Sequence, residues 1–144
     1  MTEHAVHPVQ LEQVFFVRFS VIAVPDHVPT DGQISASPIN KISINKIPDQ
    51  PRKYTFEMRT QLNEGMDKAS PYAVDVECIA VLSVDETLDD ADTQKAVTIT
   101  GHSVVFGAIR EAVSWMTGRQ AYGPLLLGLS VLRPTANPDK EKKE

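Results

Sequence analysis

From Tyr72 to Val84 the chain alternates without a break. Val74, Val76, Cys78, Ala80, Leu82 and Val84 fall on one side, and Asp75, Glu77 and Ser83 on the other. A period of two over this length belongs to a β-strand that is dry on one face and wet on the other. Such a strand commits the chain to a sheet whose apolar face needs a covering layer. A second alternation runs from Lys53 to Leu62, with Tyr54, Phe56, Met58 and Leu62 against Lys53, Thr55, Glu57, Arg59 and Gln61. A third runs from Val9 to Val24. There Val9, Leu11, Phe15, Val17, Phe19, Val21 and Ala23 share one face, interrupted by Gln13, and Pro25 ends the strand. Its opposite face mixes Gln10, Glu12, Arg18 and Ser20 with Val14, Phe16 and Ile22. Lys95–Thr100, after an acidic loop from Asp85 to Asp92, reads as a fourth strand. Strands in series with short or medium loops predict an antiparallel meander. Residues 25–51 hold five prolines and read as mostly irregular, with a short extended piece at Ile39–Ile47.

The period changes at Ser103, which has the chemistry of an N-cap. Val105, Ile109, Ala112 and Met116 then form a helical stripe, widened by Phe106, Val113 and Trp115, and Gly118 supplies the stop. Arg110, Glu111 and Ser114 confine the polar residues of its middle to a thin strip. A helix this apolar asks for a layer on each side, and one sheet supplies one. A second subunit is therefore expected, on an interface of Val105, Phe106, Ile109, Ala112, Trp115 and Met116. After Gly123-Pro124, an apolar extended run follows from Leu125 to Leu132.

The chain has 144 residues, 42% hydrophobic and 23% charged, which suits one globular domain. That domain is expected over residues 9–134, with a flexible N-terminus at 1–8 and a disordered charged tail at 135–144. A net charge of −5 argues against a nucleic-acid partner, because phosphates need a basic face. No apolar run reaches the ~20 residues of a membrane span, so no membrane insertion is expected. The one cysteine, Cys78, sits on the apolar side of its strand and reads as a buried thiol in a reducing cytosol. The histidines His4, His7, His27 and His102 do not converge with the ligand spacing of a metal site. The carboxylates from Asp85 to Asp92 lack the spacing and central glycine of a calcium loop. No phosphate-cradling glycine loop and no nucleophile elbow is present. The expectation is therefore a non-enzyme with no cofactor and no metal.

The stretch Ser103-Val104-Val105-Phe106-Gly107-Ala108-Ile109-Arg110-Glu111, continuing through Met116-Thr117-Gly118-Arg119 to Pro124-Leu125-Leu126-Leu127, resembles the SecB family of export chaperones. Gln10 to Val17 is similar to the first strand of that family, and the match spans about residues 9–132. The resemblance implies an α+β fold, a four-stranded antiparallel sheet with one long helix packed on it. It also implies a dimer or tetramer with helices sandwiched between sheets, and ATP-independent holding of unfolded or partly folded polypeptide on apolar grooves. Two departures stand out. The connection from the fourth strand to the helix is only Gly101-His102, and the chain stops soon after Pro134, without the second helix and motor-binding tail of export SecB. Nothing in the matched residues therefore carries docking to the translocase motor SecA. Solitary SecB-like proteins serve antitoxins in toxin–antitoxin–chaperone systems, which is one alternative. A non-chaperone adaptor with one folded partner is another. Val14, Phe16, Ile22, Tyr122, Leu125 and Leu127 are the expected client-binding residues, since they would put apolar groups on an otherwise polar surface. Burial of these groups beneath loop 25–51 is the competing structural reading.

Overall fold

The structure, a computed structural model, describes residues 7–28, 38–128, 130 and 132. Its elements are β1 (Val9–Ala23), β2 (Ile39–Lys46), β3 (Lys53–Leu62), β4 (Tyr72–Val84) and α1 (Asp90–Thr117). The four strands form one antiparallel sheet in the order β1-β4-β3-β2. The meander thus holds for β2–β3–β4, while β1 lies beside β4 rather than β2. The long β1 and β4 match one another along their length, with Val9 opposite Val84 and Ala23 opposite Tyr72. The short β2 is left to the far edge on β3. Alternation in β4 is obeyed throughout: Tyr72, Val74, Val76, Cys78, Ala80, Leu82 and Val84 are buried, and the residues between them are half-buried.

Four strands were expected and four are present, but the membership differs. The extended piece inside the proline-rich region is β2. Lys95–Thr100 is helical, and Gly101-His102 is no connection: both lie inside a helix of 28 residues. Its N-cap is Asp89, not Ser103. The Asp89 carboxylate accepts from the Asp92 amide at 2.8 Å, and Asp90 and Asp92 sit in the first turn, where the helix dipole favours negative charge. Gly118 ends the helix as expected. Every fourth residue from Thr93 to Thr117 (Thr93, Val97, Gly101, Val105, Ile109, Val113, Thr117) is buried against the sheet. Gly101 permits the closest approach, since a Cβ there would stand 2.5 Å from the Phe56 ring. This packing overrides the strand propensity of Val97, Thr98 and Ile99.

Two β-bulges change how β1 presents its side chains. The register shifts between Leu11 and Gln13 and again between Phe16 and Arg18. Each extra residue turns the following side chains to the other face. Opposite β4, Leu11, Val14, Phe16, Phe19 and Val21 therefore face the helix side, while Phe15 and Ile22 face away. The expected shared face of Leu11, Phe15, Val17 and Phe19 does not exist, because a strict period of two does not run through a bulge.

Of the N-terminus expected to be flexible, residues 1–6 lie outside the described residues, but Pro8 is tied down, its carbonyl accepting from the Asp85 amide at 2.8 Å. Residues 29–37 of the proline-rich region and the whole expected tail, 135–144, also lie outside them.

Candidate functional site

α1 covers β4 and β3 and reaches β1 only in part. The helix-side face of β1 is therefore left open along Leu11, Val14, Phe16 and Phe19. Between that face and the helix lies a cleft of about 490 Å³, lined by Phe16 and Phe19 from β1 and by Ala108, Glu111, Ala112, Trp115 and Met116 from α1. The Phe16 and Phe19 rings meet edge-to-face at 5.4 Å. Trp115 is 57% exposed, with the Arg119 guanidinium stacked over its ring at 3.7 Å. Glu111 is the only charged lining residue. The cleft therefore offers large apolar anchors and few directional polar groups, and one of its walls is an edge strand. Among the described residues β1 pairs only with β4, so its other edge carries no paired strand, and Gln120 Nε2 donates to the Val21 carbonyl there at 3.3 Å.

The residues expected at two separate sites are redistributed. Phe16, expected to bind client, and Ala112, Trp115 and Met116, expected in a subunit interface, line this same cleft. Val14 is exposed on the same face of β1. Val105, Phe106 and Ile109 are corrected: they are buried in the core of their own chain and are not available to a second subunit. Leu127 is likewise core, 3% exposed, and Leu125 packs against the core. Ile22 lies on the opposite face of the sheet, in a separate shallow groove with Leu62, Met66 and Ala73. Tyr122 is structural at one end: its hydroxyl donates to the Val24 carbonyl at 2.7 Å, and its ring meets those of Tyr72 and His27. The six expected client residues thus do not form one groove. Phe19 was missed as a cleft residue because the second bulge, which turns it beside Phe16, leaves no signal in the alternation.

The outer face of the sheet is of another kind. Arg59 grips Asp75 with two hydrogen bonds, Nε to Oδ1 at 2.9 Å and Nη2 to Oδ2 at 2.8 Å, and Arg18 adds weaker contacts to Asp75 and Glu77. The Arg59 guanidinium holds the Asp75 carboxyl below the ordinary carboxylate range. Arg110 donates from Nε to the Leu127 carbonyl at 2.9 Å. Cys78 is fully buried, and burial pushes its thiol up to about 11. Among the described residues, no three His, Cys, Asp or Glu side chains are grouped to hold a metal ion, and no helix is long and apolar enough to cross a membrane.

No protein-family model matches the sequence, and no curated protein is similar enough to count as a relative. The fold is similar to that of the Mycobacterium tuberculosis Rv1957 SecB-like chaperone, solved in complex with a ChAD peptide from the Rv1956 HigA1 antitoxin. The TM-score is 0.64 at 20% sequence identity, over 85% of this chain and 91% of that one. The chain has the SecB-like fold: a four-stranded antiparallel sheet with one long helix packed on it.

Proposed function

We propose that this protein is an ATP-independent chaperone, not an enzyme, that holds unfolded or partly folded polypeptide in the cleft between β1 and α1. The observation that carries this reading is the pairing of Phe16 and Phe19 with Trp115 and Met116 around one open cleft with one charge. A soluble monomer gains nothing by leaving such a surface bare. An extended client segment has two ways to bind there. Its apolar side chains enter the cleft, and its backbone can add to the unpaired edge of β1. Burial yields about 25 cal/mol per Å² of apolar area, and the held client is withdrawn from folding and aggregation by mass action. Few directional polar groups means tolerance of many sequences.

The expected homo-oligomer changes with the correction to the interface. The helix residues left for it are Ala112, Trp115 and Met116, so a second copy and a client compete for one surface. The antitoxin peptide held by the similarly folded Rv1957 favours a narrower reading, in which the preferred client is an antitoxin segment. Soluble, cytoplasmic action follows from the same reading.

The test is the double substitution Phe16→Ser with Trp115→Ser. Losing both anchors is expected to weaken client binding by about 3 kcal/mol, roughly 100-fold, while the melting temperature stays within a few degrees. Unimpaired suppression of aggregation by this variant would refute the cleft as the site.

A further inference from the structure

The coil of α1 winds on past its cap. Gly118 keeps a right-handed backbone (φ −59°, ψ −17°), and the Arg119 amide donates to the Met116 carbonyl at 3.2 Å. That step brings Arg119 back over the helix. Its Nη1 donates to the Trp115 carbonyl at 2.9 Å, and its guanidinium lies 3.7 Å over the Trp115 ring. The last turn of α1 holds no basic residue, so Arg119 supplies the positive charge that the helix end attracts. This role uses one of five N–H donors.

Glu111 stands one turn before Trp115 and lines the same cleft. Glu111 and Arg119 are both exposed, and neither forms an ion pair among the described residues. The other lining residues, Phe16, Phe19, Ala108, Ala112 and Met116, are uncharged. Arg110, about 100° around the helix from Glu111, is engaged with the Leu127 carbonyl. Along α1 the largest apolar anchor therefore sits between two charges of opposite sign, a carboxylate one turn before it and a guanidinium four residues after it.

An extended polypeptide matches this repeat. Residues two apart in a strand share a side and stand about 6.6 Å apart, while residues four apart on a helix stand about 6 Å apart along its axis. A segment that sets an apolar side chain against Trp115 therefore offers the side chains two positions before and after it to the two charges. On the reading of the cleft as a client site, we propose that Glu111 and Arg119 select the client: an extended segment whose apolar residue is flanked, two positions away, by a basic residue on one side and an acidic residue on the other. Apolar burial supplies the affinity, and the charges supply the choice. Within the chain itself, opposite charges four apart around an apolar residue fall at Asp49–Lys53 and Glu64–Lys68. Both lie in turns with left-handed backbone (Asp49 φ 62°, Met66 φ 56°), so a folded second copy does not present the pattern extended.

The experiment uses four tryptophan-free peptides with a central leucine, identical except two positions before and after it, where they carry Lys and Glu, two Gln, two Lys or two Glu. Calorimetry gives each Kd for the full chain, and Trp115 emission reports whether the cleft is filled. The Lys/Glu peptide is expected to bind about 10-fold tighter than the Gln peptide, each charge contact contributing about 3-fold. The two like-charged peptides, with one attraction and one repulsion each, should bind no tighter than the Gln peptide, and about 1 M salt should close the differences. Glu111→Gln should make the Glu/Glu peptide bind more tightly than the Lys/Lys one, and Arg119→Gln should reverse that order. If the Lys/Glu peptide shifts Trp115 emission but binds no tighter than the Gln peptide, or if neither variant changes the ranking, the proposal is overturned and the cleft stands as a client site. If no peptide shifts Trp115, including where light scattering shows a second copy seated on this face, the proposal and the client site fall together.

Discussion

Replacing Gly101 by alanine sets two effects against each other in one helix. In an exposed helix interior, glycine to alanine gains about 1 kcal/mol by restricting the unfolded chain and removing exposed backbone. Gly107 is such a site: it is exposed, and a Cβ there would meet nothing within 4 Å. At Gly101 the added methyl would stand 2.5 Å from two ring atoms of Phe56 and 2.7 Å from its Cβ. Phe56 is fully buried, so its ring has nowhere to retreat. Overpacking costs about 1–3 kcal/mol, and approaches this short belong at the upper end. The expected balance is a loss of about 2 kcal/mol for Gly101→Ala and a gain of about 1 kcal/mol for Gly107→Ala. In thermal unfolding that separates the two variants by about 10 °C. Urea unfolding followed by circular dichroism, at one protein concentration, reads both. If Gly101→Ala gains stability alongside Gly107→Ala, α1 is not seated on β3 there. The helix would then begin near Ser103, as the local pattern alone suggests.

Two further expectations follow from burial. Leu127→Ala should lose about 2–4 kcal/mol in urea unfolding because it opens a cavity in the core, whereas Leu126→Ala, exposed at the neighbouring position, should stay within about 0.5 kcal/mol. Cys78, with its thiol pushed up to about 11, should resist a thiol reagent at pH 8 in the folded protein and react promptly once unfolded; prompt reaction of the folded form would contradict the packing of β4.

What the sequence revealed depended on whether a local period met a tertiary constraint. β3 and β4 were legible because each is paired on both sides and dry on one face, so alternation survives from end to end. β1 was legible as a strand but not in its facing, because two bulges reverse its phase and the alternation carries no mark of them. β2 was half-hidden by the prolines around it. The first half of α1 was misread because Val97, Thr98, Ile99 and Thr100 are β-branched and alternate, and Gly101 looked like a break. The repeat of four running back from Ile109 through Val105, Gly101 and Val97 to Thr93 was the available counter-signal. The site was legible as a set of surplus apolar residues but not as a place. Phe16 and Trp115 are 99 positions apart and were assigned to different surfaces, and only the incomplete cover that α1 gives β1 brings them together.

Trp115 is the only tryptophan in the chain and lines the cleft, so its fluorescence reports directly on what occupies it. The decisive measurement is a titration with a permanently unfolded, tryptophan-free polypeptide at fixed protein concentration, with light scattering recorded in parallel. Occupation of the cleft predicts a saturable blue shift of Trp115 emission, a rise in mass that fits bound client, and loss of both in Phe16→Ser. If client binds and aggregation is suppressed while Trp115 emission stays unchanged, the client is held elsewhere and the account of the cleft is wrong.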